Sequence, residues 1–301
     1  MMQLEYPFSW QGIDDFSYPK DDAGVPLVYI SRRFGFRYNP ITISQLGLDA
    51  ITRYARTGDE AALHTAMIQA QWLLRHVQPW HNESLAWVYD FDLDFYGPRA
   101  PWISAMAQSE AVSLLLRLHP FLEDDRCLDI PIKALRPFKY PVNRGGVQAQ
   151  FPDGSPVFEE YPTHPPSMVL NGFMFSLIGL HEYATLFSDA EFTELFQQAI
   201  QGLRNNLHRY DTGYWNYYDL HPTRRLTSPA YIQVHVQLLS ILSHLTGDPF
   251  FSAVANRWRS YLKSPRSRLL WISQKVVEKI RLYGRNRLFI SLFNGSCVCG
   301  L

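Results

Sequence analysis

The sequence predicts an all-α protein: paired antiparallel helices arrayed as a toroid, long loops forming a cleft at one end, and a few short strands. Three observations predict it. Apolar residues recur at helical spacing along most of the 301 residues, short and long connectors alternate between the helices, and strand-like patterning is confined to brief stretches.

The helices come first. Ile43, Leu46, Ala50, Ile51 and Tyr54 share one helix face, and Leu63, Ala66, Met67, Ala70, Leu73 and Val77 share the next. Further helices are predicted over 104–118, 125–138, 167–187, 190–208, 229–246 and 249–262, with Pro131 disturbing the first turn of the second of these. Strands are expected only in pieces such as 25–30 and 147–151.

Connector length then orients the array. Thr57-Gly58-Asp59, Phe187-Ser188-Asp189 and Thr246-Gly247-Asp248 are compact turns that join antiparallel neighbours. They alternate with long connectors at 78–101, 139–166 and 209–228. In an up-and-down array alternate connectors lie at the same end, so the three long loops are expected on one face, where loops of this length are usually functional. The chain accordingly divides into an extended segment over 1–40, a helical domain over 41–263 and a basic tail over 264–301.

Composition narrows the function. With 28 basic and 28 acidic residues the formal charge is zero, which removes the electrostatic argument for a nucleic-acid partner. Aromatic residues make up 15% of the chain, as core filler or as platforms for sugar rings. Cys127, Cys297 and Cys299 form no paired framework, no signal peptide or membrane-spanning stretch is visible, and a cytoplasmic protein is expected. Neither a nucleotide-binding loop nor a metal-ligand spacing is present, so no cofactor is expected. In the tail, Arg266, Arg268, Lys275, Lys279, Arg281, Arg285 and Arg287 are interleaved with apolar residues and face one acid, Glu278. That pattern fits a helix on a membrane surface or on a partner such as a glycosyltransferase, and equally a terminal helix docked on its own domain.

Chemistry-bearing residues cluster in the long loops. In Glu159-Glu160-Tyr161-Pro162, Pro162 keeps Tyr161 out of the helical region, so Glu160 and Tyr161 sit on extended backbone at the cleft end. An acid in a loop is ordinarily solvated; a catalytic carboxylate is the sharper reading. The run Tyr210-Asp211-Thr212-Gly213-Tyr214-Trp215-Asn216-Tyr217-Tyr218 suits a hairpin arm, either packed on the body or offered to carbohydrate. Tyr231 and His235 lie four apart on one helix face, as a partly buried pair or as active groups.

Taken in order, several pieces resemble the glucuronyl 5-epimerases of heparan sulfate and heparosan biosynthesis. They are Trp102 with Ser104-Ala105-Met106-Ala107-Gln108, Glu159-Glu160-Tyr161-Pro162-Thr163, Leu170-Asn171-Gly172-Phe173-Met174, Ser176-Leu177-Ile178-Gly179-Leu180, Tyr210-Asp211-Thr212-Gly213, Tyr218-Asp219-Leu220 and Arg257-Trp258-Arg259-Ser260-Tyr261-Leu262-Lys263. The match runs over roughly 40–263 and leaves the tail outside, so the tail is expected to be dispensable for chemistry. The resemblance implies an incomplete α/α toroid that inverts carbon 5 of glucuronate in a heparosan-like polysaccharide to give iduronate. It implies Glu160 as base, Tyr231 as acid on the opposite face, and Tyr161 and Tyr218 as donors to the substrate carboxylate. It also implies substrate contacts at Trp102, Gln108, Asn171, Tyr210, His221 and His235, with His235 the group closest in sequence for accepting the Tyr231 proton in the reverse direction. A homodimer is a further implied partner. The chain departs from the family pattern at Ile103, where animal members have Tyr, and at His221, where they have Arg. A uronate polysaccharide lyase shares the proton abstraction and is the alternative enzyme; a non-catalytic carbohydrate-binding subunit of a capsule-synthesis complex is the alternative outside catalysis.

Overall fold

The computed structural model describes residues 2–283. Its helices are α1 (Pro40–Thr57), α2 (Glu60–His76), α3 (Ala105–Leu122), α4 (Arg126–Leu135), α5 (Leu170–Phe187), α6 (Ala190–Asn206), α7 (Pro229–Thr246), α8 (Pro249–Lys263) and α9 (Pro265–Tyr283). Local chemistry sets their ends. Asn39 opens α1 by accepting the Ile41 amide at 3.0 Å, and Pro40 takes the first position, where no N–H partner is needed. The three short turns share one device, a left-handed residue that ends one helix followed by an aspartate that caps the next: Gly58 and Asp59, Ser188 and Asp189, Gly247 and Asp248. Each aspartate cap contributes about 1 kcal/mol.

α1, α3, α5 and α7 pack side by side in that order as an inner row, with α2, α4, α6 and α8 each behind its partner. The apolar stripes predicted for the first two helices face this interior, where Ile43, Ile51, Ala66, Ala70 and Leu73 are fully buried. Inner helices approach closely because small residues meet at the crossings. A Cβ on Gly179 would lie 2.4 Å from the Ser109 carbonyl oxygen, so only glycine lets α5 rest on the α3 backbone at that point. The fold is all-α, with paired helices in an incomplete toroid. The strands are two-stranded antiparallel pairs in the loops: Leu27–Ser31 with Gly35–Tyr38, Gln78–Trp80 with Ser84–Ala86, Val88–Tyr89 with Trp102–Ile103, and Gln148–Gln150 with Pro156–Phe158.

The amino-terminal segment is part of this architecture. The Tyr6 amide donates to Thr52 Oγ1 on α1 at 2.9 Å, while the Ser9 backbone faces the Gln237 side chain on α7, whose amide, turned over, donates to Ser9 O at 3.2 Å and accepts from Ser9 N at 2.6 Å. The segment thereby joins the two ends of the inner row. Tyr6, Phe8 and Trp10 are buried there, Phe8 edge-on to Phe175 of α5 at 4.8 Å.

Several helix limits differ from the predicted ones: α3 runs on to Leu122, past the predicted 118, and α6 ends at Asn206 rather than 208. α5 begins at Leu170 rather than at 167, because Glu159 captures the amides of Ser167 and Met168. Pro131 lies inside α4 without ending it, and the predicted stretch to 138 closes instead as a 3-10 turn over Arg136–Lys139. Of the tail, the described part is α9; Arg285, Arg287, Cys297 and Cys299 lie outside the described residues. No described helix is long and apolar enough to cross a membrane.

Candidate active site

The strand Pro156–Phe158 runs directly into Glu159 and Glu160, and extended backbone sends consecutive side chains to opposite faces. Glu159 turns into the protein. Its carboxylate accepts Ser167 N at 2.8 Å, Ser167 Oγ at 2.5 Å and Met168 N at 3.0 Å, which buckles the loop behind it. Burial raises its pKa to about 7, against the pull of those donors.

Glu160 turns the other way and is as fully buried, yet its Oε2 makes no hydrogen bond. Burial pushes this carboxyl up to about 7 as well, with the Tyr161 hydroxyl and the Arg225 guanidinium acting in the opposite direction. Its position depends on α5: a Cβ on Gly172 would lie 2.3 Å from Glu160 Oε2. A buried carboxyl with an unused oxygen and a pKa near neutrality is equipped to take a proton.

Phenols surround it. Tyr161 stacks on Tyr96 with ring centroids 4.9 Å apart and leans on Trp102 at 6.1 Å; its buried hydroxyl acts on the Glu160 carboxyl. Tyr218 meets Tyr231 edge to face at 5.1 Å, and its carbonyl accepts the Leu170 amide at 3.0 Å, tying the third loop to the start of α5. Burial raises the pKa values of Tyr161 and Tyr218 well above the free phenol, with the Glu160 charge adding to it, so both stay neutral donors. Ser228 caps α7 by accepting the Tyr231 amide at 3.2 Å, which fixes Tyr231 in the first turn. The three long loops thus converge: Tyr96 comes from the first, Glu160 and Tyr161 from the second, Tyr218 from the third.

One cation enters the site from the third loop. Arg225 Nε donates to the fully buried Asp219 at 2.9 Å, and Asp219 also accepts the Tyr96 hydroxyl at 2.7 Å. The guanidinium carbon lies 4.8 Å from the Tyr218 ring centre and 4.7 Å from that of Tyr96. Burial works against the Arg225 charge, but Tyr96, Asp219 and Tyr218 outweigh it.

Two hollows meet at Tyr231. The first is a slot of ≈ 40 Å³ lined by Glu160, Tyr231, Asn171, Gln45, Met106 and the amino-terminal Trp10, among others. The second, ≈ 140 Å³, is lined by Tyr231, Tyr218, Arg225, Leu226, Thr227, Ser228 and Lys275.

The expected site residues fall into three groups. Glu160, Asn171 and Tyr231 line the slot, Tyr218 lines the second hollow with Tyr231, and Tyr161 is buried beside Glu160 without lining either. His221 stands at the edge, partly exposed, its Nδ1 2.9 Å from Thr223 Oγ1 and its ring edge-on to Tyr96 at 5.6 Å. Trp102, Gln108, Tyr210 and His235 are buried behind the cleft and line neither hollow. Gln108 receives the Trp87 amide and donates to the Leu85 and Ala134 carbonyls; Trp102 donates to Phe91 O; Tyr210 donates to Met168 O at 2.8 Å. These three shape the loops from behind, because their polar atoms are engaged by backbone. His235 is corrected as the group serving Tyr231: its Nδ1 faces Asn216 Nδ2 at 3.2 Å, and burial lowers its pKa to about 3, so it is neutral. Sequence reading missed Arg225, Tyr96 and Gly172. Arg225 lies four residues beyond His221, the position where animal members carry their arginine, and that proximity was the available signal. Glu110 on α3 is also buried nearby, accepting Gln45 Nε2 at 3.0 Å; burial pushes its carboxyl well above the usual range.

A family model described as D-glucuronyl C5-epimerase C-terminus matches residues 81–260, the stretch that supplies Glu160, Tyr161, Tyr218, Arg225 and Tyr231. The chain belongs to that family. The D-glucuronyl C5-epimerase of Caenorhabditis elegans is 36% identical over 184 residues, which is 56% of this chain and 30% of that protein, so this family member spans under a third of that relative's length. An uncharacterized protein of Methanocaldococcus jannaschii is 22% identical over 271 residues, 82% of this chain and 87% of its own. Among solved structures, an α-1,6-mannanase from a Salegentibacter species is similar at TM-score 0.49 and 14% identity, covering 79% of this chain and 67% of that one. An unsaturated glucuronyl hydrolase from a Bacillus species is similar at TM-score 0.47 and 17% identity, covering 73% and 61%.

Proposed function

We propose that this family member is an isomerase that inverts carbon 5 of D-glucuronate residues in a heparosan-like polysaccharide. The observation that carries the reading is the pairing of Glu160 and Tyr231 in one slot, with Glu160 Oε2 buried and without a hydrogen bond.

The C5 proton is weakly acidic because its removal places a second negative charge on the carboxylate. A base with a pKa near 7 gains proton affinity from burial while remaining partly ionised at neutral pH. Glu160 takes the proton from one face of the sugar. Neutral Tyr161 and Tyr218 donate to the carboxylate as it becomes an enediolate, where charge develops and fixed donors act most strongly. Tyr231 returns a proton on the other face. In reverse Tyr231 acts as its anion, and Arg225, which lines the second hollow with it, opposes that charge instead of the neutral His235.

The test is incubation with a panel of glucuronate polymers in deuterated water, read by NMR at C5 and by uronic acid composition. Deuterium at C5 with iduronate formation supports the proposal. Absorbance from an unsaturated uronate would assign the chain to the lyases. Polymer binding with no exchange would leave a carbohydrate-binding subunit.

A further inference from the structure

We propose that α9, outside the residues that match the family, completes the cleft: Lys275 anchors the loop over residues 223–228 and offers a cation to a second oxyanion of the same acidic polysaccharide. This rests on the proposed polymeric uronate substrate and extends it to a neighbouring sugar.

The contacts of α9 concentrate on one short stretch. Trp271 Nε1 donates to Thr227 O at 2.8 Å, Lys275 Nζ to Leu226 O at 2.6 Å, and Glu278 Oε2 accepts the Leu226 amide at 2.9 Å. Arg281 donates to Thr223 O. Four α9 side chains therefore hold the backbone on both sides of Arg225, and Tyr218 N in turn donates to Arg225 O at 2.7 Å. The apolar residues Leu269, Leu270, Ile272 and Ile280 are exposed, so polar anchoring, more than apolar burial, fixes α9 on this face.

Lys275 is placed as more than an anchor. It lines the second hollow with Arg225, Tyr218 and Tyr231. An ammonium carries three donors, and Leu226 O and Glu278 Oε1 (2.7 Å) occupy two, which leaves one for a ligand. Burial lowers the pKa of Lys275 and the Arg225 charge lowers it further, against the support of Glu278; an added anion would relieve both burdens. The slot holding Glu160 is the tighter of the two, and the second hollow shares Tyr231 with it and offers several times the space. A polymer with its reacting uronate at the slot would present a further acidic group there, a carboxylate or a sulfate.

The test compares wild type, Lys275→Met and Arg266→Ala, a control that removes an exposed charge from the same helix. KM and kcat for C5 exchange are measured on a long unsulfated glucuronate polymer, on its N-sulfated form and on a trisaccharide with one central uronate. Lys275→Met should raise KM on polymer roughly tenfold or more, as loss of a charge-assisted contact does. The trisaccharide should show a much smaller change, and Arg266→Ala none on either substrate. A larger KM effect on the N-sulfated polymer assigns the oxyanion as sulfate, and an equal effect assigns it as carboxylate. Unchanged polymer KM in Lys275→Met, or an equal loss on the trisaccharide, overturns the proposal. Melting curves check the fold; if Lys275→Met melts early, Lys275→Gln is used under the same criteria. Should wild type exchange no substrate, the epimerase reading fails by itself. The subsite is then judged by calorimetric binding of the same polymers, where Lys275→Met must weaken wild-type binding.

Discussion

The two hollows that meet at Tyr231 are built on opposite principles. The slot is small, walled by buried aromatic and aliphatic side chains, and its one carboxyl leaves an oxygen without a partner. The larger hollow is lined by cations that are already paired, Arg225 with Asp219 and Lys275 with Glu278. Burial of a lone acid raises its proton affinity; cations paired with buried carboxylates supply directed donors. The difference assigns proton transfer to the slot and recognition of the anionic polymer to the larger hollow. Slot variants should lower kcat, variants of the larger hollow should raise KM, and Tyr231 should affect both.

The largest expected effect is at Glu160. Glu160→Gln keeps the shape of the slot and removes the proton acceptor, so C5 deuterium exchange and net epimerisation should both fall below detection. Retained exchange in a folded Glu160→Gln protein would break the division at its root. Tyr231→Phe should lower net epimerisation on the order of a hundredfold or more, since it removes a positioned acid. Exchange of the glucuronate hydrogen should persist, because Glu160 still returns a solvent-derived proton to its own face. Wild-type epimerisation by this variant would move the acid role to Tyr218, the phenol 5.1 Å away.

Gly172→Ala tests whether the slot is as tight as it looks. The added methyl would fall 2.3 Å from Glu160 Oε2, and displacement of a catalytic group by about 1 Å costs up to a hundredfold. Single-turnover kinetics should show the loss in the chemical step, with polymer affinity nearly unchanged; a loss confined to affinity would contradict the assignment. The smallest effect is the pH dependence. Glu160 acts as its carboxylate and its pKa is raised to about 7, so kcat/KM should rise as pH climbs through about 7 and level off above it. A simple titration gives a roughly fivefold fall from pH 7 to pH 6. Because the pKa of adjacent Glu159 is also raised to about 7, the apparent midpoint belongs to the two carboxyls together.

The amino-acid sequence by itself determined the helices, their turns and the end at which the long loops gather. Apolar periodicity, left-handed glycines and capping aspartates are local, and each acts within a few residues of where it is read. It also placed Glu160, Tyr161, Tyr218 and Tyr231 at that end, the first two through the Pro162 that keeps their backbone extended and the others through ordered resemblance to a family. Resemblance had singled out Glu160 of two adjacent glutamates, but the physical reason is tertiary, because Glu159 and Glu160 differ in strand parity and in the partners waiting on each side. Gly172 could not be read as a functional residue, since its role is an absence of atoms opposite a side chain twelve residues earlier. That His235, one helical turn beyond Tyr231, is held neutral and is a poor proton acceptor likewise came from its burial in the folded chain. The tail carried both of its readings equally in sequence, for a basic amphipathic pattern does not name the surface it meets. Over its described part, four side chains of α9 reach the backbone of residues 223–227, whose carbonyls and Leu226 amide become a docking surface only once the third loop has folded.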